Sequence, residues 1–289
     1  MMKTKKKILG LALSVVLSAG SLTACGGAGS SDMISVVTRE EGSGTRGAFV
    51  ELTGIEEKDA SGNKVDNTTV DAISVNSTAI AMTTVAGNDK AIGYISLGSL
   101  NDTVKAVQID GVEPTADNIK NGNYSLSRPF YVVTKGNLSE PAQDFMNFIL
   151  SADGQAIVSE EGYIEVDNAG IFTSSGVSGK VIVAGSSSIM PVMQKLQETY
   201  QKINSNVKIE VQESDSTTGV NSTADGTCDI GMASRDLKEE ETSWGLTATA
   251  IAMDGIVVVV HKDNEVMNLE TSQVKEIFTG TVTSWSEVR

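Results

Sequence analysis

One histidine, two cysteines and four prolines are all that this 289-residue chain carries, and each scarcity removes a class of function. The lone histidine, in Val260-His261-Lys262-Asp263, leaves a serine nucleophile without an evident base and reads as a surface side chain at a strand end. Neither G-x-S-x-G nor G-x-x-x-x-G-K-[ST] occurs, so a nucleophile elbow and a nucleotide P-loop are out. One histidine with one free cysteine builds no ordinary zinc site, so neither a metal nor a cofactor is expected. The runs Glu40-Glu41 and Glu239-Glu240-Glu241 read as solvated faces. Positive charge is also scarce. The net charge is −15; four of the 22 basic residues precede Cys25, so the remainder has 18 against 37 acidic residues, a net of −19. Bulk charge of that sign excludes nucleic acid as a partner. A small anion is still admissible, because surface charge is screened within roughly 8–10 Å while buried donors act locally.

The chain is long enough for two ordinary domains, and 40% hydrophobic with 20% charged residues describes a globular protein. Residues 1–24 read as a secretion signal: Lys3, Lys5, Lys6 and Lys7 form the basic region and Ile8 to Leu17 the apolar one, too short for a membrane-spanning helix. Leu22-Thr23-Ala24-Cys25 resembles a bacterial lipoprotein box, which implies cleavage before Cys25 and its lipidation; residues 25–32 are then a tether. A disulfide between Cys25 and Cys228 is the alternative. Cys228, in Thr227-Cys228-Asp229-Ile230, reads as an inert buried thiol.

What the chain has in quantity is a strand followed by a hydroxyl-rich turn and a helix. Ile34, Val36 and Val37 lead into Arg39-Glu40-Glu41-Gly42-Ser43-Gly44-Thr45-Arg46, and Ala48, Phe49 and Leu52 predict a helix stopped near Gly54. Val181 to Ala184 leads into Gly185-Ser186-Ser187-Ser188, with a helix from Pro191. Val207, Ile209 and Val211 lead into Ser214-Asp215-Ser216-Thr217-Thr218-Gly219, and Ile230 to Met232 into Ala233-Ser234-Arg235-Asp236. Each turn alone is an N-cap; together, hydroxyls and backbone N–H groups at several helix starts describe an anion site. Residues 56–70 read as polar loop, Asn76-Ser77-Thr78 as a further polar turn, and Pro129–Thr134 as a strand. A helix follows Pro141, and another is expected over Leu269–Phe278. The β-branched run Thr249–Val260 reads as a strand that bends or crosses between domains.

These stretches carry a resemblance. E-E-G-S-G-T-R at Glu40, V-A-G-S-S-S-I-M-P-V-M at Val183, S-D-S-T-T-G at Ser214 and D-I-G-M-A-S-R at Asp229 are similar to the phosphate-binding proteins of bacterial ABC transporters, the PstS family. A-I-A-M-D-G-I-V-V-V-V at Ala250, A-I-G-Y-I-S-L-G-S-L at Ala91 and L-S-R-P-F-Y at Leu126 extend it over nearly the whole chain beyond the tether. The resemblance implies an α/β, two-lobe, type II periplasmic-binding-protein fold with hinge crossover strands and the ligand cleft between lobes. It implicates Arg39, Ser43, Gly44 and Thr45 from one lobe, and Ser187, Ser188, Ser216, Ser234 and Arg235 from the other. Arg39 would neutralise the dianion, oriented by Glu41. Many members place an aspartate at the position of Arg235 to accept the proton of hydrogen phosphate; here Asp215 or Asp254 would take that part.

The halves also stand in swapped order relative to the family, which implies a circular permutation bridged by Asp167 to Gly179; a misassembled gene is the alternative reading. New ends near Met33 and Arg289 would then be neighbours. The expected lobes are residues 33–126 with 256–289, and residues 127–255. The expected function is a lipid-anchored, extracytoplasmic, monomeric receptor that captures inorganic phosphate for an ABC permease, without enzymatic activity. The alternatives are a receptor for another oxyanion such as sulfate or molybdate, a non-transport surface or sensor protein with a degraded site, and a secreted phosphatase or esterase.

Overall fold

The computed structural model describes residues 32–288; the expected secretion signal, Cys25 and most of the expected tether lie outside the described residues, as does Arg289. In chain order the first half holds β1 (Ser35–Arg39), α1 (Gly44–Leu52), β2 (Glu56–Lys58), β3 (Lys64–Asp66), β4 (Ile73–Val75), α2 (Thr78–Ala86), β5 (Ala91–Ser96), β6 (Lys105–Ala106), β7 (Gln108–Ile109), α3 (Ala116–Lys120) and β8 (Ser127–Lys135). The second holds α4 (Glu140–Ile149), α5 (Ala152–Glu160), β9 (Gly179–Ser186), α6 (Met190–Ile203), β10 (Val207–Ser214), α7 (Ser216–Ala224), β11 (Ile230–Ala233), β12 (Leu246–Val260), β13 (Asn268–Leu269) and α8 (Thr271–Phe278). The mixed α/β class expected from the sequence is the one observed.

Nine strands form one sheet in the order β10-β9-β11-β8-β12-β5-β1-β4, with β6 added against β12. β10, β9 and β11 are mutually parallel, as are β5, β1 and β4. Between these triplets run the long antiparallel strands β8 and β12. β12 pairs with β8 from Leu246 to Gly255, then with β5 from Ile256 to Val260, and a bulge at Ala250/Ala252 bends it on the way. Burial on both faces explains why its second half is a continuous run of β-branched residues.

Two main cores lie on either side of this junction. Phe145, Phe148, Tyr200, Val183 and Ile230 belong to one; Phe49, Tyr94, Ile92, Val258 and Phe278 belong to the other. The second is built around Phe49, which stacks on Tyr94 at 3.9 Å and meets Phe278 edge-on at 4.8 Å.

Three local expectations differ. Residues 56–70 contain the hairpin β2–β3, held by a Lys64–Glu56 ion pair at 2.8 Å and by Asp59, which caps the turn through the N–H groups of Ser61 and Asn63. A separate helix, α5, follows α4 after the Ser151 cap. Leu269 pairs in β13, so the last helix starts two residues later than expected, behind a Glu270/Gln273 capping box.

The two ends of the described chain meet. Met33 bridges to Ser284, the Ile34 N–H donates to the Thr283 carbonyl at 2.8 Å and the Trp285 N–H to the Asp32 carbonyl at 3.0 Å. The Gly/Ser-rich stretch before β9 is tied down at Asp144, which is 4% exposed and accepts bonds from the Ser175 N–H, both Ser174 and Ser175 hydroxyls and the Tyr200 hydroxyl. Burial works to raise this carboxyl, but the bonds from Ser175, Tyr200 and Ser174 outweigh it and hold the group below the usual carboxylate range. A depressed pKa contributes stability that is present above the unfolded value of 3.8 and is lost as pH falls through the folded one. Asp144→Asn is therefore expected to cost about 1–3 kcal/mol at neutral pH. Urea midpoints for both proteins at pH 7 and pH 3 check this: the gap between them should narrow at the lower pH.

Candidate functional site

Within each parallel triplet the carboxyl ends lie together and the helices that follow begin there. β8 and β12 intervene antiparallel, so the two triplets run in opposite directions and their carboxyl ends face each other near the middle of β12. On one side β1 leads to α1 and β4 to α2; on the other β9 leads to α6 and β10 to α7, while β11 ends at Ala233, just before Ser234. Four helix N-termini, each with unpaired N–H groups and partial positive charge, thus surround one small volume.

Their side chains interlock. Thr45 and Ser188 share a hydrogen bond at 2.7 Å. Arg39 Nη2 donates to Ser187 Oγ at 3.1 Å and Nη1 to Thr78 Oγ1 at 3.2 Å. Thr78 also lies 3.2 Å from the Ser187 hydroxyl and 3.3 Å from that of Ser188, and its N–H donates to Ser187. Beside them Ser234 Oγ lies 2.9 Å from Ser186 and 3.2 Å from Ser216, and its N–H donates to Ser216. All of these residues are buried. Gly44 makes the approach possible: a Cβ there would lie 2.4 Å from Ser216 Oγ and 2.9 Å from the Ser234 backbone.

Of the nine expected binding residues, the structure thus brings Arg39, Thr45, Ser187 and Ser188 into direct contact and lays Gly44 against Ser216 and Ser234. Ser43 is the N-cap of α1, accepting from the Arg46 N–H. Arg235 does not join them. Its four Nη hydrogens go to the Asp236 carbonyl, both oxygens of Glu241 and the Thr217 hydroxyl, which leaves none of them for an oxyanion. The orienting carboxylate of Arg39 also differs from expectation. Glu40, not Glu41, accepts from Nε and Nη2 at 2.9 and 2.8 Å, because the chain turns after Glu40 and leaves Glu41 exposed.

Arg39 is 2% exposed, so its charge is desolvated and Glu40 compensates it. The remaining donors are neutral hydroxyls and backbone N–H groups. Such groups hold a desolvated oxyanion without importing a second buried charge. Thr78, not among the nine expected binding residues, is central here; its polar turn, Asn76-Ser77-Thr78, stands at a helix start as the other three do. Tyr94 supports the site from behind, its buried hydroxyl bonding Thr38 Oγ1 and accepting from the Arg39 N–H.

Of the two carboxylates considered as proton acceptors, Asp254 is fully buried and occupied: Oδ1 accepts from Ser96 and Leu97, Oδ2 from Arg128. Burial pushes it up to about 6 against the pull of Arg128 and the Ser96 hydrogen bond. Asp215 caps α7 and lies against Gly42, where a Cβ would come within 2.3 Å of its Oδ1. Cys228 is buried, beside Thr223 at 3.4 Å. His261 is partly buried, and its Nδ1 accepts from the Asp263 N–H.

The chain matches the family model described as a PBP superfamily domain over residues 14–153 and 171–289. It is 52% identical over 291 residues to phosphate-binding protein PstS 2 of Streptococcus agalactiae, covering 99% of each chain. The crystal structure of a phosphate ABC transporter, phosphate-binding protein from Streptococcus pneumoniae shares 44% identity and a TM-score of 0.71, covering 89% of this chain and 100% of that one. Similarity to phosphate-binding protein PstS of Bacillus subtilis is 33% over 142 residues, 48% of this chain and 43% of that protein.

Gly44→Ala is expected to keep both cores intact but to hold the α1 turn away from Ser216 and Ser234, weakening oxyanion binding at least tenfold. A thermal midpoint near that of wild type, with affinity measured by calorimetry, checks both halves of this expectation.

Proposed function

The chain belongs to the PstS family of phosphate-binding proteins, within the PBP superfamily, and from that premise we propose that it captures inorganic phosphate and passes it to an ABC permease. The observation that carries this reading is the convergence of Arg39, Thr45, Thr78, Ser187 and Ser188 at three helix N-termini, with Ser216 beside them at a fourth. One charge-compensated arginine among neutral donors suits a small, fully desolvated oxyanion. Ser43, Ser216 and Ser234 complete the donor set, and Asp215, which borders the Gly42 turn, is the carboxylate to accept the proton of hydrogen phosphate. Capture takes place by closure of two lobes, residues 33–126 with 256–289 against residues 127–255, about the crossing strands β8 and β12. The protein is not an enzyme: the site holds serines but no histidine to activate them.

Lipidation at Cys25, an extracytoplasmic location, a monomeric state and the permuted chain order are parts of the same proposal. Among the described residues no helix is long and apolar enough to cross a membrane. The permuted order is supported by the hydrogen-bonded meeting of Asp32–Ile34 with Thr283–Trp285. It is also supported by the contrast between relatives: the streptococcal protein matches end to end, the Bacillus one over less than half of either chain. A misassembled gene would not share its order with a full-length relative.

Isothermal titration with phosphate, sulfate and molybdate tests the central claim. Heat is expected with phosphate, and its absence sinks the proposal; heat with sulfate or molybdate alone would identify a different oxyanion receptor. Arg39→Ala should weaken phosphate binding at least about a hundredfold, as expected for loss of a buried charge-assisted pair. Cys25→Ser should move the protein from the detergent phase to the aqueous phase on Triton X-114 partition of cell extracts.

A further inference from the structure

The rim of the site contains a second set of contacts that touches none of the oxyanion donors. The Gly42 carbonyl, in the β1–α1 turn, accepts two bonds from one residue of α7: the Thr217 N–H at 3.1 Å and the Thr217 hydroxyl at 3.1 Å. The same hydroxyl receives Arg235 Nη2, also at 3.1 Å. A guanidinium can only donate, so the hydroxyl proton must point at the Gly42 carbonyl. Arg235 is itself fixed by a two-pronged pair with Glu241, at 2.7 and 2.8 Å, and Glu241 Oε2 also accepts the Lys238 N–H at 2.7 Å. Burial works to raise the Glu241 carboxyl, but the Arg235 and Lys238 bonds keep it below the usual range, so the pair stays charged at neutral pH. Gly42 has no room for a side chain, since a Cβ would sit 2.3 Å from Asp215 Oδ1.

We propose that Glu241, Arg235, Thr217 and the Gly42 carbonyl form a clasp that holds the cleft shut, with Arg235 as a positioning residue for closure and not a phosphate ligand. The clasp joins the β1–α1 turn, beside the Phe49 core, to α7, which packs on β9 and β11, and it rests on the reading of the site as a closing phosphate cleft. Because closure exchanges water partners for these bonds, each contributes modestly, and the clasp acts on release more than on capture.

Three variants test this: Thr217→Val, which removes the hydroxyl and keeps the shape, Arg235→Met, and the two combined, with Thr217→Ser as the rescue. Phosphate affinity and dissociation rate are read by calorimetry and by stopped-flow chase into a phosphate sensor. Each single variant is expected to speed release roughly three- to tenfold with little change in association. The double variant should be no worse than either single one, because both break one chain of contacts. Thr217→Ser should restore wild-type release. Small-angle scattering without phosphate supplies a measure independent of the ligand: Thr217→Val and Arg235→Met should both enlarge the radius of gyration relative to wild type. Loss of affinity in Arg235→Met alone, with Thr217→Val unchanged, would mean that Arg235 binds the anion directly and would overturn the clasp. Unchanged radii in both variants would overturn it as well. Absence of phosphate binding by wild type would instead sink the proposed function, leaving the scattering comparison to decide the clasp.

Discussion

Two buried charges facing each other across the β8–β12 ladder give the molecule its fixed point. Arg128 and Asp254 are register partners, joined at 3.2 Å, and neither has access to bulk water. Each has a further duty: Arg128 donates to the Ser234 carbonyl, while Asp254 accepts from the Ser96 hydroxyl and the Leu97 N–H. The pair thereby references a turn from one core and a turn from the other to a single place on the crossing strands. Removing either partner strands the other as an uncompensated buried charge, which is far costlier than losing one hydrogen bond. Burial lifts Asp254 to about 6 and pulls Arg128 down, while their mutual attraction and the bonds from Ser96 and Leu97 favour the ionised pair.

From that fixed point the chemistry between the facing strand ends follows. With Glu40 on Arg39 and Asp254 on Arg128, both buried arginines are already compensated, so an incoming anion meets dipoles and hydroxyls instead of free positive charge. This reconciles a chain with a net charge of −15 with an anion site. The long-range field is screened, and the donors that matter lie within hydrogen-bond distance of one another. The hydroxyls can donate or accept, and can therefore satisfy each other as well as an oxyanion.

Much of this was legible in the chain. The apolar alternation of Val207, Ile209 and Val211, the Ser-rich turn after Val183 and the Gly-Ser-Gly-Thr turn after Val37 each announced a strand, a cap and a helix, and those elements formed where expected. What stayed hidden depended on contacts distant in sequence or on the path of a turn. β4 has three residues and no periodicity, so Asn76-Ser77-Thr78 reads only as a further polar turn, with nothing to tie Thr78 to the anion site. Glu40 and Glu41 are chemically equal neighbours, and only the backbone turn decides which reaches Arg39. Arg235 is drawn away from the anion donors by Glu241, whose acidic run reads from sequence as a solvated face. The β2–β3 hairpin is held by charge pairs and an aspartate-capped turn, which leave no hydrophobic pattern to read.

The aromatic cluster of Phe49, Tyr94 and Phe278 has a consequence for the order in which the molecule assembles. Phe49 and Tyr94 are made well before Phe278 and the β12 strand that covers β5. The core containing Phe145 and Tyr200 is contiguous in sequence and has all its parts beforehand. The earlier segments must therefore wait, with an uncovered β5 edge, until β12 and α8 arrive. A nascent chain of this design stays exposed to mispairing until β12 has emerged, and loss of α8 would unmake a core begun more than two hundred residues earlier, at Val36 and Phe49.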